Sequence, residues 1–78
     1  MTPSQARAAR AMLKMGVRDV ADLAKVTPNT VSRVEQDEFG PRGPQPVTVE
    51  AIRRVYEDAG VVFIPENGGG PGVRLRKT

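Results

Sequence analysis

The stretch "DVADLAKVTPNTVSRVE", Asp19–Glu35, decides how the rest of the chain is read. Val20, Ala21, Leu23 and Ala24 recur at helical spacing and form one apolar stripe, and Val31 and Val34 form a second. Between them, Thr27 followed by Pro28 is a strong helix start, a capping hydroxyl and then a proline where a helix can accept one. The spacing therefore predicts a helix over Val17–Ala24, a tight turn through Lys25 and Val26, and another helix from Pro28 to about Val34 or Gln36. Val26 closes the turn, and both stripes face one core. The side that the valines do not use carries Thr27, Pro28, Asn29, Thr30, Ser32 and Arg33. Six hydrogen-bonding or groove-sized side chains on so short a helix form a surface suited to reading another molecule.

On the N-terminal side, "TPSQARAARAML" repeats the same start: Thr2 caps, Pro3 suits the first helical position and Gln5 stands where a capping-box partner belongs. Ala6, Ala9 and Leu13 then predict a helix from Pro3 to Leu13 or Lys14, whose small alanines imply close packing. On the C-terminal side, "FGPRGPQP" holds two glycines and three prolines and reads as a rigid loop. "VTVEAIRRVYEDAG" follows as a fourth helix, with Val49, Ile52, Val55, Tyr56 and Ala59 inward and Gly60 as its stop. "VVFI" and "VRLRK" are short β-rich runs separated by "PENGGGPG". A lone two-stranded ribbon is marginal in water. Either both strands form and pair with those of a second chain, or one strand packs on the helices and the tail stays disordered.

At 78 residues the chain forms one small core, the kind that often needs a disulfide, a metal or a partner chain. With no cysteine and no histidine, disulfides and the commonest metal ligands are excluded, along with the usual nucleophile–base pairs. No enzymatic activity, metal or cofactor is expected. No apolar stretch approaches the roughly 18–20 residues of a membrane span, and the N-terminus lacks a signal-peptide core, so the expectation is a cytoplasmic protein without membrane contact. The net charge of +3 is unevenly spread. Residues 1–34 hold six basic and two acidic groups, residues 35–60 three and six, and residues 61–78 three and one. A basic N-terminal half is the electrostatic footprint of a nucleic-acid binder.

The string "LAKVTPNTVSRVE", with one helix before it and one after, resembles the lambda-repressor-like, Cro/XRE-type helix-turn-helix family of bacterial and phage DNA-binding regulators, over roughly residues 5–59. Ala21 matches the family's small crossing residue, Val26 its turn apolar, Val31 and Val34 the buried face of its recognition helix, and Glu35 the acidic residue that closes that helix. The resemblance implies a mainly α fold of four to five helices, with residues 1–60 as the DNA-binding domain and 61–78 as a C-terminal β extension. It also implies double-stranded DNA as the partner. Thr27, Pro28, Asn29, Ser32 and Arg33 would then contact bases, and Gly16, Val17, Arg18, Lys25, Thr30 and Arg42 would contact phosphates. The chain departs from the family where Gly16 and Val17 replace a usual Ser/Thr–Gln pair. Lys25 stands where many members have glycine, which predicts a left-handed backbone there. The "FGPRGPQP" loop is longer than usual.

The expectation is thus a sequence-specific transcriptional regulator, a homodimer on a two-fold operator. Val61, Val62, Phe63, Ile64, Val73 and Leu75 are the candidate dimerisation residues. The rival is a protein-interaction module, an anti-activator or antitoxin-like adaptor that captures a partner with the 61–64 strand edge. A non-specific architectural DNA binder fits less well, because the chain offers few lysines and few wedge residues.

Overall fold

The computed structural model describes residues 1–36 and 43–76. Four helices and two strands follow one another: α1 (Pro3–Met12), α2 (Val17–Ala24), α3 (Pro28–Val34), α4 (Pro46–Asp58), β1 (Val61–Ile64) and β2 (Gly72–Leu75). The fold is mainly α, completed by a two-stranded antiparallel sheet.

The start of α1 is a reciprocal cap. Thr2 Oγ1 accepts from the Gln5 amide at 3.1 Å, and Gln5 Oε1 accepts from the Thr2 amide at 2.8 Å. The other end of the same Gln5 side chain donates from Nε2 to the carbonyls of Ile64 at 3.1 Å and Gly72 at 2.9 Å, one on each strand. A buried glutamine is tolerable because its oxygen and its nitrogen are both partnered. The helix stops at Met12, one or two residues before the expected end, because Lys14 adopts a left-handed φ of 56°. The Lys14 amide then reaches Ala11 O and the Met15 amide reaches Arg10 O, the two bonds of a Schellman cap.

Helix α2 has the expected bounds and ends at Lys25, whose φ of 60° is the left-handed conformation that the resemblance implies at this position. Its inner face is Val20 and Ala21, both fully buried, with Val17 and Ala24 packed against the core. Leu23 is not part of it and is 59% exposed. At about 100° per residue, Val17, Val20, Ala21 and Ala24 share one arc, and Leu23 falls outside it. On α4, Pro46 rather than Val47 takes the first helical position, so the last proline of the loop belongs to the helix. Ile52 and Tyr56 are buried, and Val49 and Val55 pack against them. Ala59 is exposed beyond the helix end, because the inward row closes at Tyr56 before Gly60 turns the chain at φ 105°.

The strands pair within the chain, Val61 with Leu75 and Phe63 with Val73. Successive strand residues face opposite sides. Val61, 3% exposed, joins the core, and Phe63 and Val73 pack on it. The chain thereby supplies a sheet layer to its own core. The Phe63 ring lies 6.4 Å from that of Tyr56 and is capped by the Arg53 guanidinium 5.4 Å from its centroid.

Tyr56 is the largest fully buried side chain, and its hydroxyl has no hydrogen-bond partner among the described residues. Tyr56→Phe should therefore raise the unfolding free energy by about 1 kcal/mol in urea titrations, because it removes a desolvated group that gains nothing in return. Burial, reinforced by the nearby Glu35 charge and opposed by Arg10, pushes the phenol up to about 12. The unfolded phenol ionises near pH 10. Between those values the unfolded chain holds fewer protons, so stability falls as pH rises from about 10 to 12, and Tyr56→Phe should remove that part of the alkaline loss. Tyr56 is the sole tyrosine, so tyrosinate absorbance reads the step directly.

Candidate nucleic-acid interface

Helix α3 is only seven residues long, far too short to be stable alone. Three anchors hold it. Thr27 Oγ1 caps its start, accepting from the Thr30 amide at 3.3 Å and bonding the Thr30 hydroxyl at 2.9 Å. Val31 and Val34 bury its inner face. At its far end Glu35, itself buried, makes a two-pronged ion pair with Arg10 of α1: Nε to Oε2 at 2.7 Å and Nη2 to Oε1 at 2.9 Å. The Glu35 hydrogen bond is also the main reason the Arg10 guanidinium is held still further above its ordinary value. Arg7 donates to the Glu35 carbonyl, one of the backbone acceptors at a helix end that has no partner within the helix.

Fixed in this way, α3 leaves Thr27, Pro28, Asn29 and Arg33 exposed and Thr30 and Ser32 half-buried. A groove of about 270 Å³ runs beside it, lined by Thr30, Arg33, Gly43, Pro44, Gln45 and Thr48. Gln45 and Thr48, at the start of α4, were not among the expected site residues. Gln45 is the N-cap of α4 without a side-chain cap bond, and the prolines on either side of it hide the helix start in the sequence.

The residues expected at phosphates are more scattered. Arg18 and Lys25 are exposed at the first turn and the end of α2. Val17 is half-buried, its side chain packed on the core. The Gly16 amide already donates to Asp19 Oδ2 at 2.8 Å, so the acid in the first turn of α2 occupies one donor that an incoming anion would use. Arg42 lies outside the described residues. Of the apolar residues expected at a dimer sheet, Val61, Phe63 and Val73 pack in their own chain's core. Val62 and Ile64 lie on the opposite face of the hairpin, and Leu75 is 43% exposed.

Among the described residues no cluster of acidic side chains could hold a metal ion, and no helix is long and apolar enough to cross a membrane. Compared with protein-family models and with curated proteins, the sequence matches none.

Proposed function

We propose that the chain is a sequence-specific DNA-binding transcriptional regulator of the lambda-repressor-like, Cro/XRE type, and that it places α3 in the major groove as a homodimer on a two-fold operator. The observation that carries this reading is the two-sidedness of α3: valines lock one side to the core, while Thr27, Pro28, Asn29 and Arg33 stand exposed on the other. A major groove about 12 Å wide admits such a helix. Asn29 suits a bidentate pair with adenine, and Arg33 suits guanine O6 and N7. Pro28 offers apolar contact to a thymine methyl, and Thr27 and Ser32 offer hydroxyls to base edges. Arg18, Lys25, Thr30, Arg42 and the amides near Gly16 and Val17 would grip the flanking phosphates, Gly16 only after releasing Asp19. The excess of basic groups in residues 1–34 supplies the long-range attraction.

The second chain would dock on the hairpin's outward residues, Val62 and Ile64, whereas Leu75, paired with Val61, projects to the other face. β2 takes one edge of β1, which leaves the other edge of β1 and the outer edge of β2 for a dimer sheet or a partner protein.

The deciding experiment selects binding sites from a random DNA pool. A palindromic winner with half-sites about one helical turn apart supports both the reading and the dimer. Recovery of no preferred sequence, together with affinity for a partner protein that is insensitive to salt, would instead favour the adaptor.

Lys25 tests the phosphate grip separately from the fold. Lys25→Gly should stabilise the free protein by about 0.5–1 kcal/mol, because glycine takes the left-handed φ without a Cβ clash. The same change should weaken operator binding several-fold and flatten its salt dependence by about one phosphate contact. Thermal melts and titrations at several salt concentrations check the two halves.

A further inference from the structure

The loop that joins β1 to β2, residues 65–71, holds an arrangement unrelated to α3. Asn67 and Gly68 are both exposed. The Gly68 amide donates to Glu66 Oε1 at 2.9 Å, and the Gly70 amide donates to the same oxygen at 2.9 Å. The Gly69 amide donates to Asn67 Oδ1 at 3.3 Å. Gly68 sits at φ 98° with no atom within 4 Å of where a Cβ would be, so the space beside its α-carbon is open.

We propose that Asn67–Gly68 is a self-modification site at which the loop promotes its own asparagine deamidation, with Glu66 as the base and the Gly69 amide as the oxyanion donor. The Gly68 backbone nitrogen attacks Asn67 Cγ and passes its proton to Glu66. A new N–Cγ bond forms, and the negative charge that develops on Oδ1 falls on the Gly69 N–H. Collapse of the tetrahedral centre breaks the bond from Cγ to the side-chain nitrogen, which leaves as ammonia carrying the proton held by Glu66. Solvent water then opens the five-membered imide at either carbonyl, giving aspartate or isoaspartate. No oxidation or reduction occurs, and water is the only co-reactant.

Three features place the reacting groups together. The nucleophile adjoins its target in the chain and bears no side chain. A base within hydrogen-bond reach of the proton to be removed satisfies the first geometric demand on a general base. The amides of Gly70 and Gly68 that grip Glu66 hold its carboxyl below the usual range, and they fix its oxygen against the Gly68 N–H. The product adds one negative charge beside Glu66 and takes the chain from +3 to +2. The isoaspartate form also lengthens the backbone of the hairpin loop.

The test follows Asn67 by intact mass and isoaspartate quantitation in the full chain, folded and in concentrated urea, from pH 5 to 8. The folded wild type is expected to deamidate at Asn67 about tenfold faster than the unfolded chain at pH 6, with a shallow pH dependence. Glu66→Gln should lose that advantage, its rate then tracking hydroxide and falling about tenfold for each unit the pH is lowered. A folded rate equal to or below the unfolded rate would overturn the proposal, since the hydrogen bonds would then merely restrain the loop. A Glu66→Gln rate matching wild type at pH 6 would overturn it as well.

Discussion

Glu35→Ala should lower the unfolding free energy by about 3 kcal/mol, read as a fall in urea midpoint with the slope unchanged. The Glu35 side chain is only 9% exposed, and its loss strands the Arg10 guanidinium that its two oxygens were holding. Breaking a fully buried pair typically costs about 3–5 kcal/mol, and the value here sits at the low end because Arg10 remains 28% exposed and recovers some hydration. Against a total of about 4–12 kcal/mol for a chain of 78 residues, that is a large share. The pair itself adds much less than its rupture removes. Arg10→Met with Glu35→Leu, which replaces both charges with apolar side chains of similar size, should recover most of the loss. A single-variant cost under about 1 kcal/mol would mean that water already screens the pair as it does at a surface.

The second large effect is on recognition. Arg33→Ala should weaken binding to the selected operator by about 1–3 kcal/mol, roughly 5- to 150-fold, and relax the preference at one guanine per half-site. Arg33 is exposed on the last turn of α3 and faces the groove shared with Gln45 and Thr48, so truncation there leaves Val31 and Val34 in place and the fold intact. The two variants differ in what they lose: Glu35→Ala should unfold more easily, while Arg33→Ala keeps the buried Val31 and Val34 and should read DNA poorly. Unchanged base preference in Arg33→Ala would remove α3 from the role proposed for it.

The helix starts at Thr2–Pro3 and Thr27–Pro28 were legible because a capping hydroxyl and a first-turn proline act within a few residues of one another. The left-handed Lys25 was legible only through the resemblance, as a lysine standing where many members of that family have glycine. The Arg10–Glu35 pair was not, since nothing local links positions 25 residues apart. Glu35 looked like a helix terminator, and its partner emerged only when α1 lay across the end of α3. Leu23 misled because in a helix of eight residues one apolar residue outside the inner arc still falls at a helical spacing. Gln45 was hidden between Pro44 and Pro46, which looked like loop although Pro46 starts α4, and Thr48 was placed on the fourth helix with nothing local to bring it beside α3. Nor could the strands reveal that Val61 is core, because "VVFI" has no polar alternation to mark its inward face.

Gln5 has a consequence for how the chain is made. Its side chain bridges Ile64 and Gly72, partners 59 and 67 residues later in the sequence. At ribosomal rates of about 5–20 residues per second, roughly 3–13 s separate the synthesis of Gln5 from that of Gly72. Throughout that interval the first helix can find its cap but not its clip, and Ala6 and Ala9 wait without the strands that finish their layer. The nascent chain thus carries four helices before the hairpin that Gln5 fastens has been made, and that side of the core closes only after β2 is synthesised.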